Sequence, residues 1–238
     1  MSRKIWEREV GKVAVVAIDG PSGAGKSSVS RAIAEIFHWS YLDTGALYRA
    51  LTLFALKSAV GDPSEIPARL RVGTVTLDGN PAAPTISLAG RVINEEIRSQ
   101  QVTENVSAIA ADPQVRRFLL SMQREIINNA ARGIVVEGRD IGTTVWPDAE
   151  LKIFLTADLT ARAERRNAEL ARALSHNDVE KSLAARDVID STRASSPLRQ
   201  TDDQVVIDAT HLSIDEVVSE ITKLVAQLNI AKAVENDE

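Results

Sequence analysis

The chain has no cysteine among its 238 residues. Disulfides, thiolate nucleophiles and thiolate metal sites are thereby excluded. Its three histidines, His38, His176 and His211, are scattered without metal-ligand spacing and read as structural or surface residues. Aromatic residues are scarce; Trp39 and Trp146 border strand ends, where packing is their expected role. No apolar run approaches the ~18 residues of a membrane span. The stretch Met1 to Glu9 is charged throughout and lacks the apolar core of a signal peptide, so the expected location is cytoplasmic. Basic residues are not in excess: 28 Lys and Arg against 33 Asp and Glu give a net charge of −5, which argues against a general nucleic-acid-binding surface. There is no internal repeat and no low-complexity tract. The remaining composition, 44% hydrophobic and 26% charged, is that of a soluble globular protein of one domain, or one domain with an insertion.

The run Gly20-Pro21-Ser22-Gly23-Ala24-Gly25-Lys26-Ser27 fits G-x-x-x-x-G-K-[ST] in full, and Ser28 follows it. It comes directly after the β-branched stretch Val13 to Ile18, and Val29, Ile33, Ile36 and Phe37 then recur at helical spacings. Strand, glycine-rich turn and helix form the context of a phosphate-binding loop. The glycines let backbone N–H groups curl round an anion, and the helix N-terminus adds its positive dipole end. Lys26 is placed to reach the β- and γ-phosphates of a nucleoside triphosphate, and the Ser27 hydroxyl to ligate Mg²⁺.

An α/β rhythm continues along the chain. Tyr41 to Gly45 reads as a short strand ending in a turn, and Ala46 to Ala59 as a helix. Gly61-Asp-Pro and Ile66-Pro break the pattern, and Asp78-Gly-Asn-Pro81 between two alternating runs signals a hairpin. Residues 61–100 therefore read as a small, mostly β insertion. Helices are expected over about 103–111 and 114–131, the second opened by Asp112-Pro113. Strands are expected at Ile134 to Val136, Leu151 to Leu155 and Gln204 to Asp208. Asn177-x-x-Glu180 reads as a capping box, and Ser213-x-x-Glu216 caps a closing helix. The alternation implies a mostly parallel sheet covered by helices on both faces.

Other clusters narrow the chemistry. Thr44 and Arg49 follow a strand, where they are candidates to grip a second phosphate; the alternative is a helix N-cap and a surface arginine. Glu137, Arg139 and Asp140 follow buried aliphatics, with Gly138 allowing close approach of a ligand; an internal charge network pinning the loop is the alternative. Arg186, Asp190 and Arg193 share one helical face, as would a solvent-exposed ladder. Arg162, Arg165 and Arg166 form either a mobile lid over a transferring phosphoryl group or a basic surface stripe.

Taken together, Ile18-Asp-Gly-Pro-Ser-Gly-Ala-Gly-Lys-Ser27, Leu42-Asp-Thr-Gly-Ala-Leu-Tyr-Arg49, Gly138-Arg-Asp-Ile-Gly-Thr143 and Ile207-Asp-Ala-Thr210 resemble the bacterial cytidylate kinase family, over about residues 13–228. The resemblance implies a P-loop NTPase fold, a three-layer α/β/α core with a central parallel sheet. It implies a core over 12–60 and 101–230, a β-rich NMP-binding insertion over 61–100 and an arginine-rich helical lid over about 158–196. Residues 1–11 become a polar lead-in and 231–238 a polar tail. The implied reaction moves the γ-phosphate of ATP to CMP or dCMP, with Mg²⁺ held at Ser27 through ATP. The implied protein is a monomer with small-molecule substrates and neither nucleic-acid nor membrane partners. ATP falls on Gly20, Pro21, Ser22, Gly23, Ala24, Gly25, Lys26, Ser27 and Ser28. CMP falls on Thr44, Arg49, Ser107, Arg116, Glu137, Arg139, Asp140, Arg186, Asp190 and Arg193, and catalytic roles fall on Lys26, Arg139, Arg162 and Arg193. Glu137 stands where many relatives carry aspartate. Cytosine offers an amine beside two acceptors, so Asp140 suits the amine while Ser107 and Arg116 suit the acceptors. Rival readings are a phosphate-loop kinase for UMP, shikimate or a deoxynucleoside, a GTPase-like module, and an RNA-binding protein. The chain lacks the [NT]-K-x-D motif of the second, and its acidic balance opposes the third.

Overall fold

An unbroken apolar strand needs cover on both faces, and β1 (Ala14–Asp19) has it. Val15 and Ala17 face one core, while Ala14, Val16 and Ile18 face another. The computed structural model describes residues 13–71, 73–169 and 175–228; the expected lead-in and tail, and residues 170–174 of the expected lid, lie outside them. After β1 come α1 (Lys26–Ile36), β2 (Ser40–Asp43) and α2 (Thr44–Lys57). A short α3 (Ile66–Arg69) leads to β3 (Val75–Asp78), β4 (Thr85–Leu88) and β5 (Arg91–Val92). Then follow α4 (Gln100–Ala111), α5 (Pro113–Asn128), β6 (Gly133–Gly138), β7 (Leu151–Thr156), α6 (Leu159–Glu169), α7 (His176–Thr192), β8 (Val205–Asp208) and α8 (Ile214–Gln227).

Among the described residues the main sheet has five strands in the order β2-β6-β1-β7-β8, and every pair is parallel. The chain leaves β1 toward β2 on one side and later crosses from β6 to β7 on the other. The carboxyl end of β1 is thus a topological switch point, where open α/β sheets bind ligands. One core lies between the sheet and α2, α4 and α5, the other under α1 and α8. The insertion's strands form a separate antiparallel sheet, β3-β4-β5. Its buried residues Ile66, Val75, Ile86 and Ile93 belong to the core beneath α2, so the insertion packs as part of that layer.

Two contacts seat the insertion beside the main sheet. The Tyr41 N–H, on edge strand β2, donates to Gly79 O at 2.9 Å. Arg31 on α1 donates from Nε to Pro81 O at 2.8 Å and from Nη2 to Ala82 O at 3.1 Å.

Several local readings shift. The Asp43 side chain accepts the Ala46 N–H, so α2 begins at Thr44 with no intervening turn, and Thr44 is not the cap. The strand ending at 136 in the sequence reading continues through Glu137 and Gly138, pairing them with Ile18 and Asp19. Ser175, not Asn177, caps α7 by accepting the Asp178 N–H. The expected caps at Asp112-Pro113 and at Ser213 with Glu216 are present. Trp39 is buried, stacks on Phe37 at 5.1 Å and covers Gly133, as a packing residue does.

Gly20 closes β1 at φ +149°, and a Cβ there would lie 1.9 Å from Leu155 O on the neighbouring strand. Backbone, unlike a side-chain tip, cannot swing away. Gly20→Ala is therefore expected to cost at least about 3 kcal/mol, read as a lowered Tm or loss from the soluble fraction.

Candidate active site

The carboxyl ends of β1, β2 and β6 open into a crevice of about 340 Å³, within the size range of small-ligand sites. Its floor is the 20–28 loop. Gly25 adopts the left-handed region at φ 95° and caps α1 without any side-chain acceptor. The first N–H groups of α1 therefore have no local side-chain partner, which is the arrangement that receives an anion. Lys26 is only 6% exposed and its Nζ donates to Pro21 O at 2.7 Å. Ser22, Gly23, Gly25, Lys26, Ser27 and Ser28 line the crevice, whereas Gly20, Pro21 and Ala24 are buried behind it.

Glu137 was grouped with the acceptor residues, yet its carboxylate lies beside Lys26 and Ser27 and accepts from the Tyr41 hydroxyl. Burial, reinforced by Asp43, pushes the Glu137 carboxyl up, and Lys26 opposes the rise. Burial likewise pushes the Lys26 ammonium down, with Arg139 adding to the effect and Glu137 opposing it. Asp19, at the end of β1, accepts the Ile141 and Gly142 N–H groups at 2.7 and 2.8 Å. Burial still raises it to about 6.

Across the crevice stand Thr44, Arg49, Ser107, Arg116, Arg139, Asp140, Arg186, Asp190 and Arg193. Five elements converge there: α2, α4, α5, the end of β6, and the end of α7. The Thr44 hydroxyl donates to Glu137 O at 2.7 Å, and Arg49 donates to Ile97 O at 3.2 Å and Thr103 Oγ1 at 3.0 Å. Arg116 pairs with Asp140, lies over the Tyr48 ring at 5.5 Å and donates to Ala110 O, leaving its buried Nε without a partner. Arg193 lies 3.5 Å from Asp140.

Asp190 is the hub of the acceptor side. Arg139 Nε donates to it at 2.8 Å, and Arg193 and Arg186 approach to 3.6 and 3.9 Å. The i, i+4, i+7 spacing thus forms an inward network at the crevice wall, not a solvent ladder, because α7 turns this face toward Arg139. Gly138 lines the crevice, and a Cβ there would also meet Thr44 Oγ1 and Ile141 Cδ1 at 2.6 Å, so protein packing by itself already calls for glycine.

The three arginines of α6 separate. Arg162 is buried and donates to Ala157 O, Ser22 O and Asp187, clamping the phosphate loop from outside the crevice. Arg165 donates to Ala209 O and Leu212 O, beyond β8. Arg166 lines the crevice. A common surface stripe does not describe them, since Arg162 and Arg165 meet different neighbours and Arg166 faces the crevice.

Among the described residues the crevice carries nine basic side chains and four acidic ones, in a chain of net charge −5. Burial and the neighbouring Arg139 and Arg49 push Arg186 down to about 9, and burial pushes Arg49 down to about 10. Cations crowded this closely are relieved by bound anions. Tyr41, Tyr48, Arg31 and Arg98, absent from the sequence reading of the site, also line it. Apolar strand–helix patterns conceal such side chains; the two tyrosines alone offered a signal, Tyr41 beside Leu42-Asp43 and Tyr48 beside Arg49. No described helix is long and apolar enough to cross a membrane.

Known proteins resemble the chain over nearly its whole length. A model of the family described as "Cytidylate kinase" matches residues 16–227. The chain is 46% identical over 220 residues to the cytidylate kinase of Streptomyces avermitilis, covering 92% of this chain and 95% of that one. It is 49% identical over 218 residues to that of Nocardia farcinica, covering 90% and 94%. With that of Streptococcus pneumoniae it shares 46% identity over 216 residues, covering 88% and 96%.

Proposed function

The chain belongs to the cytidylate kinase family, and from that premise we propose how its crevice moves a phosphoryl group from ATP to CMP or dCMP. The observation that carries the reading is the excess of basic side chains around a phosphate loop, with two carboxylate-centred clusters opposite.

The triphosphate lies on the 20–28 loop, held by its N–H groups and by Lys26. The acceptor phosphate is held by Arg49, Arg139 and Arg186. Asp190 faces the ribose hydroxyls and orients Arg139 and Arg193. One phosphate oxygen of CMP attacks the γ-phosphorus in line, the bond to the β–γ bridging oxygen breaks, and ADP leaves. No protein nucleophile takes part. Lys26, Arg139 and Arg193 balance charge that spreads over the transferring oxygens, which is where such enzymes gain most of their rate. Arg162 acts from behind, by clamping Ser22 and Asp187.

The residues present fit a magnesium ion. The exposed Ser27 hydroxyl and the adjacent Glu137 carboxylate are hard oxygen donors. Among the described residues no cluster of three acidic or histidine groups forms a complete cage, so the remaining ligands would be phosphate oxygens and water. Ser27 and Glu137 would hold such an ion, whose chemistry there would be to neutralise charge on the β- and γ-phosphates.

Base choice follows from hydrogen-bond direction. Asp140 accepts from the cytosine amine, while Ser107 and Arg116, both on the crevice wall, donate to its ring acceptors. Uracil presents a carbonyl to Asp140 and leaves buried polar groups unpaired. ADP release with ATP and Mg²⁺ should therefore be fast on CMP and dCMP, and at least about tenfold lower in kcat/KM on UMP. Equal turnover on UMP would remove the base assignment and keep the kinase. No acceptor-dependent ADP release would overturn the reading.

A further inference from the structure

A helical turn leaves its first N–H groups without partners, and the residue at its head ordinarily supplies an acceptor from its own side chain. Asp140 heads the π-turn Ile141–Val145, yet its side chain makes no capping bond. The acceptor comes from β1 instead. Asp19 Oδ1 takes the Ile141 N–H at 2.7 Å and Oδ2 takes the Gly142 N–H at 2.8 Å, with Gln204 Nε2 also approaching Oδ2 at 3.4 Å. The carboxylate of Asp140 is left to Arg116 and Arg193. Asp19 itself is fully buried and lines no part of the crevice.

We propose that Asp19 is a positioning residue for the acceptor base: by capping the 141–145 turn from a distant strand, it keeps Asp140 facing the crevice. Without that cap, two buried N–H groups lose their acceptor, and the carboxylate nearest in sequence is Asp140. A side chain that turns back onto its own turn no longer meets Arg116 or a cytosine amine. The same residue immediately precedes Gly20, so the strand that launches the donor loop also fixes the base-reading carboxylate. The inference rests on the reading of Asp140 as the group that meets cytosine.

Asp19→Asn tests it, because the amide keeps the shape but offers one acceptor oxygen and sets its own N–H against a backbone N–H. The expected result is a KM for CMP raised about tenfold or more and a reduced preference for CMP over UMP. The KM for ATP should rise by clearly less than that for CMP, since neither capping bond reaches the 20–28 loop and the only donor-side change is loss of a minor electrostatic neighbour of Lys26. A partly unfolded preparation lowers the apparent kcat and leaves KM alone, so it does not imitate this result. Asp19→Glu, which keeps the charge one methylene further out, is the second variant if the first does not fold, with the same direction expected. Asp140→Asn and the double variant complete the set. The double variant should be no worse than Asp140→Asn alone, because both changes remove one contact. If Asp140→Asn leaves the KM for CMP unchanged, the underlying reading falls and the proposal with it. If Asp140→Asn raises that KM while the Asp19 variants lower only Tm or kcat, Asp140 keeps its role and the proposal alone is overturned. Additive effects in the double variant overturn it equally.

Discussion

Lys26→Ala is expected to lower kcat by about 10³-fold or more while the protein remains folded. The ammonium is buried, at the floor of the crevice, and its one side-chain bond runs to Pro21 O within the loop. Holding a desolvated charge there is costly, as its depressed pKa reflects. Glu137 loses a neighbouring cation in the variant but keeps the Tyr41 hydroxyl, and its own elevated pKa lets it take up a proton. The two consequences for stability oppose each other, so the net change should stay within about 1 kcal/mol. Single-turnover kinetics beside a thermal melt separates the effects. A kcat retained above about a tenth would place the charge compensation on Arg139 and Arg193 instead.

Asp190→Ala should give the largest loss of stability among the crevice residues. Burial alone would raise this carboxyl, but Arg139, Arg186 and Arg193 hold it below its ordinary value. Its contribution is accordingly complete above the unfolded value of 3.8 and is lost as pH falls through the lower folded one. Removing the carboxylate strands three guanidinium groups against one another. The expected cost is about 3 kcal/mol, a Tm lower by roughly 6–12 °C for a chain of this size. Because the defect is uncompensated positive charge, inorganic phosphate should restore part of the loss, whereas chloride at equal ionic strength should restore little. A deficit indifferent to the anion would mean that packing, not charge, is what Asp190 supplies.

The strand, loop and helix around Lys26 were readable because glycine spacing, aliphatic run and helical period all pointed to one local structure. The caps at Asp112 and Ser213 were readable for the same reason: their partners lie two or three residues away. Long-range partners left no such trace. The spacing of Arg162, Arg165 and Arg166 places them on one helix without revealing that Arg162 and Arg165 meet different neighbours while Arg166 lines the crevice. Glu137 looked like an acceptor-side residue because Arg139 and Asp140 follow it; strand alternation instead turns it toward Ser27 and Tyr41. Asp19 was visible inside a quoted string, but the turn it caps lies 122 residues away. Ser107 and Arg116 were selected by resemblance, since periodicity alone left them indistinguishable from surface side chains, whereas Arg49 stood out by its place after a strand.

Arg31 and Tyr41 hold the insertion by the carbonyl groups of residues 79, 81 and 82, never by their side chains. Such an attachment is blind to most of what is written in that loop. Gly79 is constrained, because a Cβ there would sit 2.9 Å from Tyr41 O, and Asn80 Oδ1 accepts the Ala82 N–H at 3.1 Å, but the methyl groups of Ala82 and Ala83 have no polar atom to lend to these bonds. Descendants of this chain are thus free to diverge at positions 82 and 83 while inheriting the anchorage intact. The enclosure beside the phosphate loop becomes a segment that evolution, or a protein engineer, is able to rewrite without first re-solving how it docks.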